Sequence, residues 1–274
     1  MKKYSKPSIA LCCVVFVLLL SGCTELNPLG PEITDYFIEE YQTDNISQLR
    51  VSTVNGQVEL YGWNGSTIAV NAVKRTRRGQ EELDKVTISV TEEDDTLVIE
   101  TFTVSGASTW VSVDMNIKIP SSVTVDQVET TNGAIQLSKV RGDAHLVTSN
   151  GAIVVKDLEG YVSASTSNGR ITVENTTGVA YLETSNGGIT AEVAAILDDL
   201  DIMTSNGYII VSLSEDINAE VALETSNGRI SLSGITLTNA TYDDNYTTGT
   251  LGEGGPTITI DTSNGNITVN KLEE

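Results

Sequence analysis

The chain of 274 residues carries 16 lysine and arginine residues against 37 aspartate and glutamate residues, a formal net charge of −21. Nucleic-acid phosphates are bound mainly by Lys and Arg, so such an acidic chain excludes a nucleic-acid partner. The single histidine, His145, and three cysteines, Cys12, Cys13 and Cys23, leave little material for a metal site or a catalytic triad. We therefore expect a protein that is not an enzyme, with no cofactor and no catalytic or metal-binding residues.

Residues 1–22 have the pattern of an export signal. Three lysines open the chain, and the apolar run from Ile9 to Leu20 is too short for the roughly 20 residues that span a bilayer. The sequence Leu20-Ser21-Gly22-Cys23 resembles the lipobox of prokaryotic lipoproteins, which implies cleavage before Cys23 and attachment of lipid to it. We expect a protein anchored to the outer face of a membrane, with residues 23–45 as a tether.

An internal repeat organises the second half of the chain. Each copy has a threonine two residues before an Asn-Gly pair and an isoleucine three residues after the asparagine. The asparagines are Asn132, Asn150, Asn168, Asn186, Asn206, Asn227 and Asn264, with a weaker copy at Asn55. From Asn132 to Asn186 each step is 18 residues, and the last step, from Asn227 to Asn264, is close to a doubled interval.

Apolar residues alternate with polar ones on both sides of each Asn-Gly pair, which predicts short half-buried strands. The constant period favours an all-β, single-stranded β-solenoid, right-handed and about 18 residues per coil, in which identical residues stack. Asn or Gly would supply a positive φ at a corner. The alternative is an antiparallel β-sandwich or meander in which Asn-Gly forms the hairpin turns.

The remaining chain divides around this repeat. Residues 46–125 are predicted as a strand-rich N-terminal cap or early coils, and residues 126–274 as the repeat solenoid. An inserted loop, 238–256, interrupts the period and is a candidate binding loop, because tyrosine rings and carboxylates suit sugar or protein contacts. The alternative is that it covers the end of the core. Its candidate contact residues are Tyr242, Asp243, Asp244, Asn245 and Tyr246.

Three motifs carry a family resemblance: Tyr61-Gly62-Trp63-Asn64-Gly65, the strand Asn116-Ile117-Lys118-Ile119-Pro120, and the repeated Thr-Ser-Asn-Gly-x-Ile units. Together they resemble the putative-adhesin family of domains of unknown function in bacterial and archaeal envelope proteins. The resemblance covers about residues 46–270. It implies a β-helix-like fold and an envelope location, and it supplies no catalytic residues.

The leading interpretation is an adhesin-like binding or scaffold module of the cell envelope, held at the membrane by its lipid, with a glycan or an envelope protein as partner. The first alternative is an accessory component of an envelope-stress signalling system. The second is a carbohydrate-active β-helix enzyme, which would need clustered carboxylates on one lateral face.

Overall fold

The computed structural model describes residues 30–104 and 110–273. The predicted signal segment, Cys12, Cys13 and the predicted lipid-anchor residue Cys23 lie outside the described residues. Within the described ranges, the only helix is α1 (Gln80–Leu83), and no helix has the length and hydropathy needed to cross a membrane.

The fold is all-β and is built from one long, open sheet of 21 strands. The strands of the first half are β1 (Ile33–Gln42), β2 (Gln48–Asn55), β3 (Val58–Trp63), β4 (Thr67–Thr76), β5 (Val86–Glu93), β6 (Thr96–Thr103), β7 (Ser112–Pro120), β8 (Thr124–Asn132), β9 (Ile135–Ser138) and β10 (Ala144–Asn150). Those of the second half are β11 (Ile153–Asn168), β12 (Ile171–Asn186), β13 (Ile189–Val193), β14 (Leu200–Asn206), β15 (Ile209–Leu213), β16 (Ala219–Asn227), β17 (Ile230–Ser233), β18 (Thr238–Tyr242), β19 (Tyr246–Leu251), β20 (Thr257–Asn264) and β21 (Ile267–Lys271).

The strands form two rows of parallel neighbours. Row A contains β6 and the strand before each Asn-Gly pair of the repeat, in the spatial order β6, β2, β8, β10, the second halves of β11 and β12, β14, β20 and β16. Row B contains β7 and the strand after each pair, in the order β7, β3, β9, the first halves of β11 and β12, β13, β15, β21 and β17. Alternate aliphatic side chains of both rows are buried in one hydrophobic core.

Identical residues of successive repeats pair in register. Ile171, for example, is paired with Ile153 on one side and Ile189 on the other, each 18 residues away along the chain. The flanking strands of each repeat pair with neighbouring repeats and not with each other, so Asn-Gly is not the turn of an antiparallel hairpin. The expected stacking of Thr on Thr, Ile on Ile and Asn on Asn is confirmed.

Two polar ladders run along the Asn-Gly corner. The buried threonines donate their hydroxyl protons to the glycine carbonyls of the adjacent repeat, as Thr184 does to Gly169 at 2.9 Å. The asparagine amides bond along the row, as Asn186 Nδ2 does to Asn168 Oδ1 at 3.0 Å. Eight asparagines form this ladder, in the spatial order Asn55, Asn132, Asn150, Asn168, Asn186, Asn206, Asn264 and Asn227. The glycine carbonyls thus give each buried threonine hydroxyl of the ladder a hydrogen-bond partner, as burial of a polar group requires.

The expected positive φ at the Asn-Gly corner is wrong for most repeats. Gly56 has φ 130°, but the later corner glycines do not adopt the left-handed region. Glycine is needed there because the backbones touch: a Cβ on Gly169 would lie 1.9 Å from the carbonyl oxygen of Gly151. The left-handed residues sit at the opposite corner, where Lys139, Asp157 and Asn175 have φ between 50° and 55° at an 18-residue spacing.

The spatial order of the repeats differs from their order in the chain at both ends. The last repeat, β20 and β21, is inserted between the repeat of β14 and β15 and that of β16 and β17. Similarly, β2 and β3 lie inside the later strands β6 and β7. The first and last repeats of the chain therefore have paired neighbours on both sides, and neither leaves an open edge.

Antiparallel strands flank this stack, and one of them lies in the segment predicted as a tether. The segment 23–45 is predicted as a tether, but its part 33–42 is strand β1, which pairs with β4. Alternating residues of β1, including Phe37 and Tyr41, pack on the core, so the strand belongs to the folded unit. Within 46–125, β4 pairs with β7 and β5 pairs with β6, both antiparallel, while β2–β3 and β6–β7 occupy repeat positions.

Candidate functional site

The segment 238–256, predicted as an inserted loop, is largely a β-hairpin. Strand β18 pairs with β19, and β19 pairs antiparallel with β16, the outermost strand of row A. Thr247, Gly249 and Leu251 of β19 turn inward, and Leu251 is 6% exposed. Thr247, Gly249 and Leu251 form an alternating strand pattern in this segment. The other glycines and the acidic residues around it are more typical of a loop, which is why the sequence predicted one.

The hairpin tip is fixed to the end of the stack by backbone hydrogen bonds. Within the tip, the amide of Asp243 donates to the carbonyl of Tyr246 at 2.8 Å. The carbonyl of Asn245 accepts from the amide of Thr225 at 2.9 Å, and that of Asp244 accepts from Ile230 at 3.0 Å. These bonds satisfy amides at the end of the stack and hold the tip in one conformation.

The side chains of the tip point to solvent. Tyr242 is 60% exposed and Tyr246 is 43% exposed, and Asp243, Asp244 and Asn245 are exposed between them. All five residues of the predicted binding segment are therefore exposed at the hairpin tip. Because Tyr242 is paired with Thr247, Tyr242 and Tyr246 lie on opposite faces of the hairpin. Outward-facing tyrosines with neighbouring carboxylates can pack on an apolar or sugar surface and accept hydrogen bonds.

Two further carboxylates make this end of row A acidic. Glu224 is paired with Tyr246 on one side and with Asp261 on the other. Partial burial, followed by repulsion from Glu224, raises the pKa of Asp261 above its usual value. With Asp243 and Asp244 at the tip, the surface favours a neutral or positively charged partner over an anionic one.

In the described part of the chain, His145 is not part of a cluster of metal-ligating side chains. His145 is an exposed residue of β10, beside Gln127 and Ser163 of the neighbouring strands. Throughout the described residues, no group of three or more His, Cys, Asp or Glu side chains is arranged to hold a metal ion.

A separate, concave surface near the opposite end of the stack contains aromatic and basic residues that are not predicted as a site from the sequence. Tyr61 and Trp63 of β3 meet Lys118 of β7 and Lys139, which follows β9. The sequence signal for this surface lies in the Tyr61–Gly65 turn, one of the motifs that carry the family resemblance.

Comparison with known proteins gives a family match to part of the chain. The family model described as Toastrack DUF4097 matches residues 159–270, which span the second half of β11 to β21. No protein of curated function matches the chain.

Several solved structures are similar at low identity. A putative adhesin from Bacteroides fragilis is 11% identical, with a TM-score of 0.41 over 87% of this chain and 97% of that one. A putative cell adhesion protein from Clostridium sporogenes is 10% identical, with a TM-score of 0.38 over 88% of this chain and 100% of that one. A putative lipid binding protein from Parabacteroides distasonis is 10% identical, with a TM-score of 0.32 over 87% and 97%. The sequence of residues 159–270 is thus similar to the Toastrack DUF4097 family.

Proposed function

We propose that this protein is a non-enzymatic lipoprotein of the cell envelope and acts as an adhesin-like binding or scaffold module. The observation that carries the proposal is the hairpin of β18 and β19, which presents Tyr242 and Tyr246 on a tip bonded to the end of the stack. A tip that is already ordered loses little conformational entropy when a partner binds. Exposed tyrosines contribute large contact areas with few rotatable bonds, which is why they dominate many binding surfaces.

The proposal includes a finer description of the fold. The two rows, joined at the Asn-Gly corner and at the corner that contains Asp157 and Asn175, form a single-stranded β-solenoid. Its coil is about 18 residues in the middle repeats, in line with the register of β11 and β12. A right-handed coil is the general preference of parallel crossovers. The stack then acts as a stiff spacer that holds the hairpin away from the anchored end.

The hairpin is tested by the double substitution Tyr242→Ala and Tyr246→Ala in a glycan array and a panel of purified envelope proteins. We expect loss of the ligands that wild-type protein binds, with little change in melting temperature, because both rings are exposed. The matched control is Tyr208→Ala, which removes another exposed tyrosine at 37% exposure, away from the hairpin. If the double variant binds all of these ligands as wild type does, the hairpin is not the contact surface.

The lipid anchor is tested separately. We expect Cys23→Ser to abolish incorporation of radiolabelled lipid and to shift the protein from the membrane fraction to the soluble fraction. The reason is that the acyl chains, and not the surface charge, hold an acidic protein at an anionic membrane. Equal lipid labelling of the variant and the wild type would contradict the anchor. A soluble form for these assays should begin no later than residue 30, because β1 is part of the fold.

A further inference from the structure

A groove of about 460 Å³ lies where β3 and β7 end, next to the corner that follows β9. Aromatic and charged side chains line it together with backbone from several strands. The lining includes Tyr61, Trp63, Pro120, Lys139, Arg141 and Glu159. Its volume falls in the range of small-molecule binding sites, which are usually concave and carry a few fixed polar groups.

The aromatic side of the groove is held in place by the turn that follows β3. The indole nitrogen of Trp63 donates to the carbonyl of Thr67 at 3.0 Å. Gly65 packs directly beneath the ring, because a Cβ there would lie 2.2 Å from Trp63 Cζ2. Gly62 likewise allows contact between backbones, since its Cβ would lie 1.6 Å from the carbonyl oxygen of Lys139. These two glycines bring the ring and the lysine-bearing corner together.

Two lysines lie over the aromatic rings. Lys139 Nζ is 5.5 Å from the centre of the Tyr61 ring and 3.4 Å from its hydroxyl, and Lys118 Nζ is 5.6 Å from the centre of the Trp63 ring. The two lysines come from the two strands that flank β3. Lys118 is on β7, where it pairs with Tyr61, and Lys139 directly follows Ser138 of β9, which pairs with Tyr61 on the other side. Such cation–π contacts hold a positive charge without neutralising it.

The charge of this groove is opposite to that of the whole protein. Eight lysine and arginine side chains of the described residues form ion pairs with carboxylates. Neither Lys118 nor Lys139 does so in these ranges, whereas Arg141 Nε pairs with Glu159 at 2.7 Å. Lys139 and Arg141 therefore line the groove with Glu159 as the one acid, and Lys118 adds a third positive charge beside the Trp63 ring, in a chain with a net charge of −21.

We propose that this groove binds a saccharide that carries a carboxylate or phosphate group. Tyr61, which is 39% exposed, offers ring surface for the apolar C–H face of a sugar, with Trp63 beside it in the lining. The ammonium group of Lys139 in the lining, and that of Lys118 next to the Trp63 ring, bind the anion. A neutral sugar would leave both charges unused. A cationic ligand would be repelled.

This inference deepens the proposed binding function by naming a ligand class at a site separate from the hairpin. The two can fail independently, because the substitutions are at opposite ends of the stack. Loss of binding only in the hairpin variant would remove the groove and keep the proposed function. Loss of binding only in groove variants would keep the groove and the binding function and would remove the hairpin as the contact surface.

The experiment uses the full chain and isothermal titration with oligogalacturonate, a uronic acid oligosaccharide, against malto-oligosaccharide of the same length as the neutral comparison. We expect saturable binding of oligogalacturonate, weakened by added salt, and no detectable binding of the neutral sugar. Lys118→Gln with Lys139→Gln, and separately Tyr61→Ala, should each weaken binding about tenfold or more. The matched control is Arg229→Gln, an exposed cation at the other end of the stack, which should bind as wild type does.

Three results would overturn the inference. The first is absence of binding to oligogalacturonate and to a sugar phosphate oligomer alike. The second is equal weakening by Arg229→Gln, which would show diffuse attraction to charge. The third is unchanged affinity in Tyr61→Ala together with equal competition by inorganic polyphosphate, which would show an anion-binding patch that does not recognise a sugar. Melting temperatures of all variants, measured in parallel, confirm that folded protein is compared.

Discussion

Ile171→Asp is expected to destabilise the protein by more than about 4 kcal/mol, a large part of the roughly 5–15 kcal/mol by which an ordinary domain is stable, and so to lower its melting temperature strongly. Ile171 is fully buried and lies between Ile153 and Ile189 of the adjacent repeats. An aspartate there would be desolvated among aliphatic side chains with no cation to pair with. Its carboxylate would have to be protonated, or the repeat would have to open.

The matched control is Arg170→Asp, one residue earlier along the chain. Arg170 is exposed, and its guanidinium lies 5.8 Å from the centre of the Tyr208 ring, a weak contact at the surface. We expect a loss below about 1 kcal/mol in the same thermal melts. If Arg170→Asp were the more damaging change, the inward and outward faces of the repeat would be reversed.

Gly169→Ala is the second change with a large expected effect. Its Cβ would lie 1.9 Å from the carbonyl oxygen and 2.5 Å from the carbonyl carbon of Gly151, and both are backbone atoms. The backbones of two repeats would have to separate, which stretches the threonine and asparagine ladders at that corner. We expect a loss of about 3 kcal/mol or more, measured by chemical denaturation.

The control for this change is Gly30→Ala, because a Cβ there meets only one backbone oxygen, at the ordinary contact distance of 3.4 Å. We expect its free energy of unfolding to stay within about 0.5 kcal/mol of the wild type. A Gly169→Ala variant as stable as Gly30→Ala would show that the corners of adjacent repeats are not in backbone contact.

The repeat was predictable because its information is local and repeated. Alternating aliphatic residues around each Asn-Gly pair define strands and their buried face, and a constant period favours stacking of identical residues. Thr184 and Asn186 could therefore be placed in ladders from the sequence alone. The reason for the corner glycines could not, because the close contact between Gly169 and Gly151 depends on how two backbones approach, and not on the φ preference of one residue.

The order of the repeats in space was not predictable for a different reason. Every Asn-Gly repeat has nearly the same strand edges, so the local sequence does not determine which two repeats lie next to each other. The 37-residue step before Asn264 was interpreted as a doubled interval containing a loop, whereas that segment closes the end of row A and returns the chain to an inner position. The groove was missed for the same reason, since Tyr61, Lys118 and Lys139 are far apart in the chain.

The insertion of the last repeat is the central claim about the fold, and disulfide formation tests it most directly. In a chain with Cys12→Ser, Cys13→Ser and Cys23→Ser, one variant carries Asn206→Cys with Asn264→Cys, and the other carries Asn206→Cys with Asn227→Cys. Adjacent strands are about 4.8 Å apart, within reach of a disulfide, and strands two positions apart are about 9.6 Å apart, beyond it. Under mild oxidation, followed by mass spectrometry of the linked peptides, we expect the pair at 206 and 264 to cross-link and the pair at 206 and 227 to stay reduced. Efficient cross-linking of 206 to 227 with none of 206 to 264 would show that the repeats stack in chain order and would contradict the fold described above.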